Sequence, residues 1–453
     1  MVFADRIQFA FTVMFHYLFP IITMGLGFFI AVFSTLHVVT GEEGYHQAAE
    51  FWARIFAISF AAGVVTGIPL EFEFGANWSQ FSAFGGGLFG QVLPLEGVYA
   101  FFLESGFLGL FLFGRGRIGR IGQWLAGLGV AAGSLLSGYF ITAADAWMQH
   151  PVGYRLGPNG QPVLASFWQV VFNPYAGWMY AHVISGALLA GSFIVGSIGA
   201  FYLLAGRCQH LGRDCVRAGV IGAVVFSLLQ IFPTGDIAGR DVARYQPIKL
   251  ATMEGQFKTE PEAPLAILGM PDARQGRLLD PVRAPGLLSF LAYGSFSAPV
   301  RGLDSYPRDL WPPVNLTYYA YHIMVGLGTV FIAIALLGGL LLYLGRLERS
   351  RWYLWILMLA LPFPCIANEA GWVVTEVGRQ PWLVYGLLRT AAGISPNVST
   401  GEVIFTTLGF AGLYLLLGLL FLLLAGKVIH RGIAEEEAAP HPAAMPSPEP
   451  PRA

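Results

Sequence analysis

The sequence predicts an all-α integral membrane protein of about nine transmembrane helices, with its N-terminus outside and its C-terminus cytoplasmic. Three observations carry that expectation. The 453 residues are 55% hydrophobic and only 12% charged, with a mean hydropathy of +0.60, whereas an ordinary soluble domain carries roughly 25% charged residues. Apolar runs recur that are long enough to cross a hydrocarbon core ~30 Å thick. Arg and Lys gather in alternate connections between those runs, as they do on the cytoplasmic side of membrane proteins.

The runs fall near 8–36, 54–73, 92–113, 121–143, 179–205, 216–233, 315–345, 353–374 and 402–426. The first exceeds the ~7–15 apolar residues of a signal-peptide core and lacks a basic leader, so it reads as a retained helix. Arg115, Arg117 and Arg120 follow the third run, Arg207, Arg213 and Arg217 lie between the fifth and sixth, Arg346, Arg349 and Arg351 follow the seventh, and Lys427 and Arg431 follow the ninth. All of these connections fall on one side of a nine-helix count, which orients the chain. The organisation is six helices over 1–233, a long outside loop over 234–313, three helices over 314–433 and a disordered cytoplasmic tail over 434–453. A connection as long as 234–313 is generally functional or disordered. The tail, with its Glu run and alternating Pro, has the composition of a chain that cannot bury a core.

With 26 basic and 27 acidic residues, nothing points to a nucleic-acid partner. Cys208, Cys215 and Cys365 are odd in number and lack metal-ligand spacing, so they receive no chemical role.

Polar groups inside a bilayer are costly and tend to mark function. His16, His182 and His322 lie within apolar runs, with Met324 near His322, Glu96 and Glu104 on the third run, and Glu376 where the eighth reaches the outside. Histidine, methionine and carboxylate all ligate haem iron, and a His/Met pair makes an electron-transfer haem. Taken singly, a membrane histidine is more often a helix-to-helix hydrogen bonder and a membrane methionine is usually filling. In the outside loop, GDIAGR leads into QPIKLATMEGQF, placing Lys249 and Glu254 near the membrane surface, where they could bind quinol oxygens and accept protons or simply form a solvated charged loop.

Motifs carry the reading further. FHYLFP around His16, GIPLEFEFGANW from Gly67, LEGVYAFFLES from Leu95, AWMQHPVGY from Ala146, YHIMVG around Met324 and GWVVTEVGRQPW from Gly371 together resemble subunit I of cytochrome bd-type quinol oxidases, from the first helix into the ninth. The resemblance implies that His182 and Met324 are axial ligands of a low-spin haem b. His16 and Glu376 then serve a high-spin pair, haem b and haem d, or a third haem b in place of haem d, with the assignment between the two open. Glu96 belongs to that site as ligand or proton donor. Glu104, Ser105 and Ser137 match proton-delivery positions, while Trp372 and Arg379 flank Glu376, with Arg379 set to compensate haem propionates. Lys249 and Glu254 match the quinol-site pair of the loop known in this family as the Q-loop. That loop is short here, as in the class that includes cyanide-insensitive oxidases. His322 stands two residues before the methionine, where some members have Arg, and reads as a neighbour of the haem rather than its ligand.

The implied activity is oxidation of ubiquinol or menaquinol at the outer face and reduction of O2 to water with cytoplasmic protons, building a proton gradient without a pump. The implied setting is the prokaryotic inner membrane, multi-pass, beside a membrane-embedded subunit II and small single-helix subunits. The competing readings are a proton-coupled secondary transporter, which would bind no haem and show related halves, a bis-histidine quinone reductase, and an oxidase-like chain without its oxygen site. The presence of His16, Glu96, Glu104 and Glu376 argues against the last.

Overall fold

The computed structural model describes residues 2–114 and 116–433. Arg115 and the tail 434–453 lie outside the described residues. The chain begins with α1 (Val2–Thr40), α2 (Glu43–Ala76), α3 (Ser79–Leu95), a π-helical segment Glu96–Phe101, α4 (Phe102–Phe113) and α5 (Gly119–Gln149). A small ribbon of β1 (Tyr154–Leu156) and β2 (Pro162–Leu164), and then α6 (Phe167–Val171), lead to α7 (Ala176–Ala205). Next come α8 (Gln209–Leu229), a second π segment Gln230–Gly235, α9 (Asp236–Tyr245), α10 (Pro247–Met253), a hairpin of β3 (Leu265–Asp272) and β4 (Arg277–Ala284), and α11 (Leu287–Tyr293). The remainder is α12 (Val314–Tyr343), α13 (Arg351–Leu359), α14 (Phe363–Val377), a ribbon of β5 (Trp382–Val384) and β6 (Leu388–Arg389), α15 (Thr390–Gly393) and α16 (Thr400–Arg431). All three two-stranded sheets are antiparallel.

Eight of the described helical stretches are long and apolar enough to cross a membrane. A helix satisfies its backbone polar groups internally, which is why apolar sequence of this length resolves into helices where no water is present. Among them α7 is central, with 83% of its apolar window buried, while only 11% of the window of α16 is buried, so α16 lies at the periphery. Glycine permits close helix crossings. A Cβ at Gly25 of α1 would lie 2.7 Å from the Cα of Gly191 in α7, so the two backbones touch there.

The basic connections meet at one end of the bundle. Arg120 donates to the carbonyls of His37 and Val38, Arg207 donates to that of His430 at 2.8 Å, and Arg217 pairs with Glu348 at 2.6 Å. Opposite them, the backbone N–H of Ser79 donates to Ser395 at 2.9 Å.

Two boundaries differ from the sequence expectation. The third run, read as 92–113, is the second half of a longer helical path, Ser79–Phe113, with the π segment at its middle. Only its last part, Phe102–Phe113, is an uninterrupted apolar helix, and glycines with polar residues such as Ser79, Gln80 and Gln91 dilute the apolar signal of the rest. The sixth helix, expected to end at 233, continues through its π segment to Tyr245. Charge suggested a loop there, but Asp236 and Arg240 pair at 3.0 Å across one helical turn, an arrangement a surface helix favours. Segment 234–313 is folded throughout, with buried clusters that include Leu250, Met253, Leu278, Leu288, Leu303 and Tyr318.

Candidate haem and quinol site

Two histidines share one local design. His16, on α1, faces Thr66 of α2, with Nδ1 3.1 Å from Thr66 Oγ1. That hydroxyl donates to the Ala62 carbonyl at 2.8 Å, so its oxygen is left to accept from the Nδ1–H of His16. His182, on α7, faces Thr234 of the second π segment with a longer Nδ1 to Oγ1 distance of 3.4 Å, and Thr234 donates to the Leu229 carbonyl at 2.9 Å. Each threonine therefore selects the tautomer with a lone pair on Nε2, the form that ligates a metal. The π segment matters because its wider turn brings Thr234 and the Gln230 amide, 3.3 Å from His182 Nε2, onto the same ring.

Met324 sits on α12 against α14. A Cβ at Gly371 would lie 3.0 Å from its Sδ, so glycine there leaves the sulfur the room that a side chain would take. His322 turns away, its ring nitrogens 2.9 Å from the Tyr318 carbonyl and 3.0 Å from that of Ala266, so it ties α12 to the β3 strand.

Glu96 and Glu104 both reach α5. Ser137 donates to Glu96 at 2.6 Å and Ser134 donates to Glu104 at 2.5 Å. The two serines are one turn apart on the same helix face. Ser105 does not join them: its hydroxyl donates back to the Phe102 carbonyl of its own helix at 3.2 Å. Adjacent residues on a helix point about 100° apart, so a serine following the inward Glu104 is directed elsewhere, and the position beside the carboxylate is filled by Ser134.

At the other end, Arg379 is almost wholly buried. It donates to Asp145 at 2.7 Å and to Glu376, while Trp372 packs edge-on against Tyr17 at 5.4 Å. Lys249, expected near the surface, is buried: its ammonium donates to Gln149 at 2.6 Å and to the Thr375 carbonyl at 3.0 Å. Gln149 in turn donates to Asp145 at 3.3 Å. Gln246 also donates to the Gln149 side chain, at 2.7 Å. Two cations and two carboxylates thus share one buried network, and its charges balance. Burial and the neighbouring Arg379 lower the Lys249 pKa, opposed by Asp145 and Glu376. Glu376 keeps 38% of its side chain exposed, so it remains open on one side.

Glu254 lies apart from that network, buried against Tyr321, with Oε2 lacking a hydrogen-bond partner. Burial pushes its carboxyl up to about 7, while a hydrogen bond with Tyr321 works against the rise. Asp145, Gln149, Gln246 and Ser134 were not singled out from sequence. Asp145 immediately precedes the AWMQHPVGY motif and Gln149, four residues on, lies within it, and Ser134 sits three before Ser137, so helical spacing was the available signal.

The donor set fits haem. Imidazoles with Nε2 held unprotonated, a thioether with space around it and a carboxylate open on one side are axial-ligand chemistry, and a buried guanidinium beside that carboxylate suits an anionic cofactor edge. The fold and this site define a multi-pass membrane protein equipped to hold haem inside its helix bundle.

The family model for cytochrome bd terminal oxidase subunit I matches residues 4–433. The chain is 38% identical to a Bacillus subtilis (strain 168) protein named cytochrome bd ubiquinol oxidase subunit 1, covering 94% of this chain and 93% of the relative. It is 34% identical to the Escherichia coli (strain K12) cytochrome bd-II ubiquinol oxidase subunit 1, covering 91% and 93%. Its fold superposes on the bd oxidase from Geobacillus thermodenitrificans with a TM-score of 0.88 at 30% identity, covering 95% of this chain and 98% of that one. The chain belongs to the cytochrome bd terminal oxidase subunit I family.

Proposed function

We propose that this chain is the haem-carrying, quinol-oxidising subunit of a terminal respiratory oxidase in the prokaryotic inner membrane, working beside a membrane-embedded subunit II and small single-helix subunits. The observation that carries the reading is the pair of threonine-held histidines, His16 and His182, set in a bundle that also offers Met324 and Glu376. His182 and Met324 would hold low-spin haem b. His16 and Glu376 would serve the two high-spin haems, b and d or two of type b, with Glu96 in the same site. Haem, when bound, supplies electron transfer and oxygen binding. The chain's own groups govern ligand state, charge and protons.

With the basic end of the bundle in the cytoplasm, the segment that follows the sixth span, 246–313, lies outside. Quinol binds there, Lys249 holding its oxygen side and Glu254 accepting a proton for release outside. Ser134 and Ser137 orient Glu104 and Glu96, which carry protons inward from the cytoplasmic side. Arg379 neutralises negative charge beside Glu376, and Trp372 fixes the wall next to it. Charge separation follows from where protons are taken and released, without a pump.

Reduced-minus-oxidised optical spectra of the purified complex, with pyridine haemochrome analysis and CO addition, test this reading. Haem b signals with a CO-reactive high-spin species support it. A haem-free complex restores the transporter alternative.

Two expected results concern the quinol site. Glu254 accepts a proton only as a carboxylate, and with its pKa near 7 that form grows as pH rises. Quinol-driven haem reduction is therefore expected to accelerate with pH through about 7. E254Q should be slower by roughly 100-fold and flat across the same range. A wild-type rate independent of pH would remove Glu254 from the role. K249A is expected to slow quinol-driven reduction more than reduction by an artificial low-potential donor. Equal loss by both routes would place its effect in the Arg379 network instead.

A further inference from the structure

Glu369 was not singled out from sequence and has no role in the site described above. It lies on α14, and Cys365, Glu369, Trp372 and Glu376 are spaced four, three and four residues apart, which places them on one helix face. Glu369 therefore sits about 10 Å along the helix from Glu376. Both of its carboxyl oxygens are buried with no hydrogen-bond partner. Tyr17, on α1 next to His16, is within electrostatic reach of Glu369, and its buried hydroxyl has the Trp372 indole as its neighbour. Its ring packs edge-on against Trp372 at 5.4 Å. Among the described residues no Arg, Lys or other hydrogen-bond donor reaches either oxygen of Glu369.

A structural carboxylate inside a membrane is held by a cation or by several donors, because an unpaired buried charge is costly. Glu369 has neither. A carboxyl group whose buried oxygens meet no fixed protein donor, near a hydroxyl able to donate or accept, is suited to holding a proton and handing it on.

We propose that Glu369 is a second internal proton carrier of the oxygen-reducing site, beside Glu104. It takes up a proton from the cytoplasmic side and releases it toward the face bounded by Tyr17, Trp372 and Glu376. There O2, four electrons from two quinols and four protons become two water molecules. The inference rests on the oxidase reading above.

The test is redox-induced infrared difference spectroscopy on the purified complete oxidase, wild type against E369Q, with haem content and oxygen consumption measured on the same samples. The expected result is a carboxylic C=O difference band in the wild type that E369Q lacks, with haem content unchanged and turnover lowered roughly tenfold or more. If the band persists in E369Q, or if turnover stays within about twofold of wild type, the assignment is wrong. Should E369Q fail to assemble haem, E369D keeps a carboxyl group and decides the matter: a displaced band supports the assignment and an unmoved one overturns it. A wild-type complex that carries no haem or consumes no oxygen with quinol would instead sink the proposed function, a distinct outcome.

Discussion

M324L is expected to abolish the low-spin haem signal and to lower quinol oxidase turnover by at least roughly 100-fold, while the chain still inserts in the membrane. The thioether sulfur is what leucine lacks; the two side chains are otherwise close in volume, and such swaps usually cost little packing energy. Removal of groups that merely support a metal ligand already costs 10–100-fold in affinity or activity, so loss of the ligand itself should exceed that range. The reduced spectrum of the variant complex reads the result directly. High-spin signals should persist, because His16 and Glu376 stand on other helices, α1 and α14. An unchanged low-spin signal would move the sixth ligand elsewhere and leave Met324 as packing against Gly371. G371A is a milder companion: its methyl would meet the sulfur at 3.0 Å, closer than an unstrained contact, so the low-spin signal should shift or weaken without vanishing.

How far the sequence could be read follows from the kind of signal each feature emits. Membrane helices were legible because length and hydropathy are local properties. The run at Ser79–Phe113 was only half legible, since its first part is broken up by glycine and polar residues. Facing direction was harder. A helix surrounded by lipid and other helices is apolar on every side, so its sequence does not say which residue turns inward, and a π segment adds a residue to the turn and rotates everything beyond it. Ser105, matched to a proton-delivery position by motif alone, bonds its own helix, and Ser134 on α5 holds the Glu104 carboxyl. Motif resemblance supplied His16, His182, Met324 and Glu376, but not the threonines that set the ring nitrogens, because Thr66 and Thr234 are distant in sequence from the histidines they hold. Lys249 shows the opposite limit. Its charge suggested a solvated surface, and only the tertiary fold reveals the carboxylates and amides that let it be buried.

That buried network makes Arg379 the residue whose loss should most damage the assembly. Its side chain is 1% exposed and bridges Asp145, 9% exposed, to Glu376. Removing one member of a buried ion pair costs about 3–5 kcal/mol, because the partner is left charged and dry. In R379Q, Glu376 can turn toward its open side, so Asp145 bears most of the penalty, while Lys249 remains the one cation of the network and reaches it through Gln149. The expected result is a complex that loses its haem spectrum at a markedly lower temperature than the wild type. R379K should fall between, since an ammonium keeps the charge but lacks the planar fork that serves two carboxylates at once. The diagnostic variant is R379Q/D145N, which removes the stranded carboxylate along with the guanidinium. If the pair is the source of the stability, this double variant retains haem to a higher temperature than R379Q alone, by a coupling of at least about 1 kcal/mol. Equal instability of R379Q and R379Q/D145N would show that Arg379 acts through Glu376 or the bound cofactor rather than through Asp145.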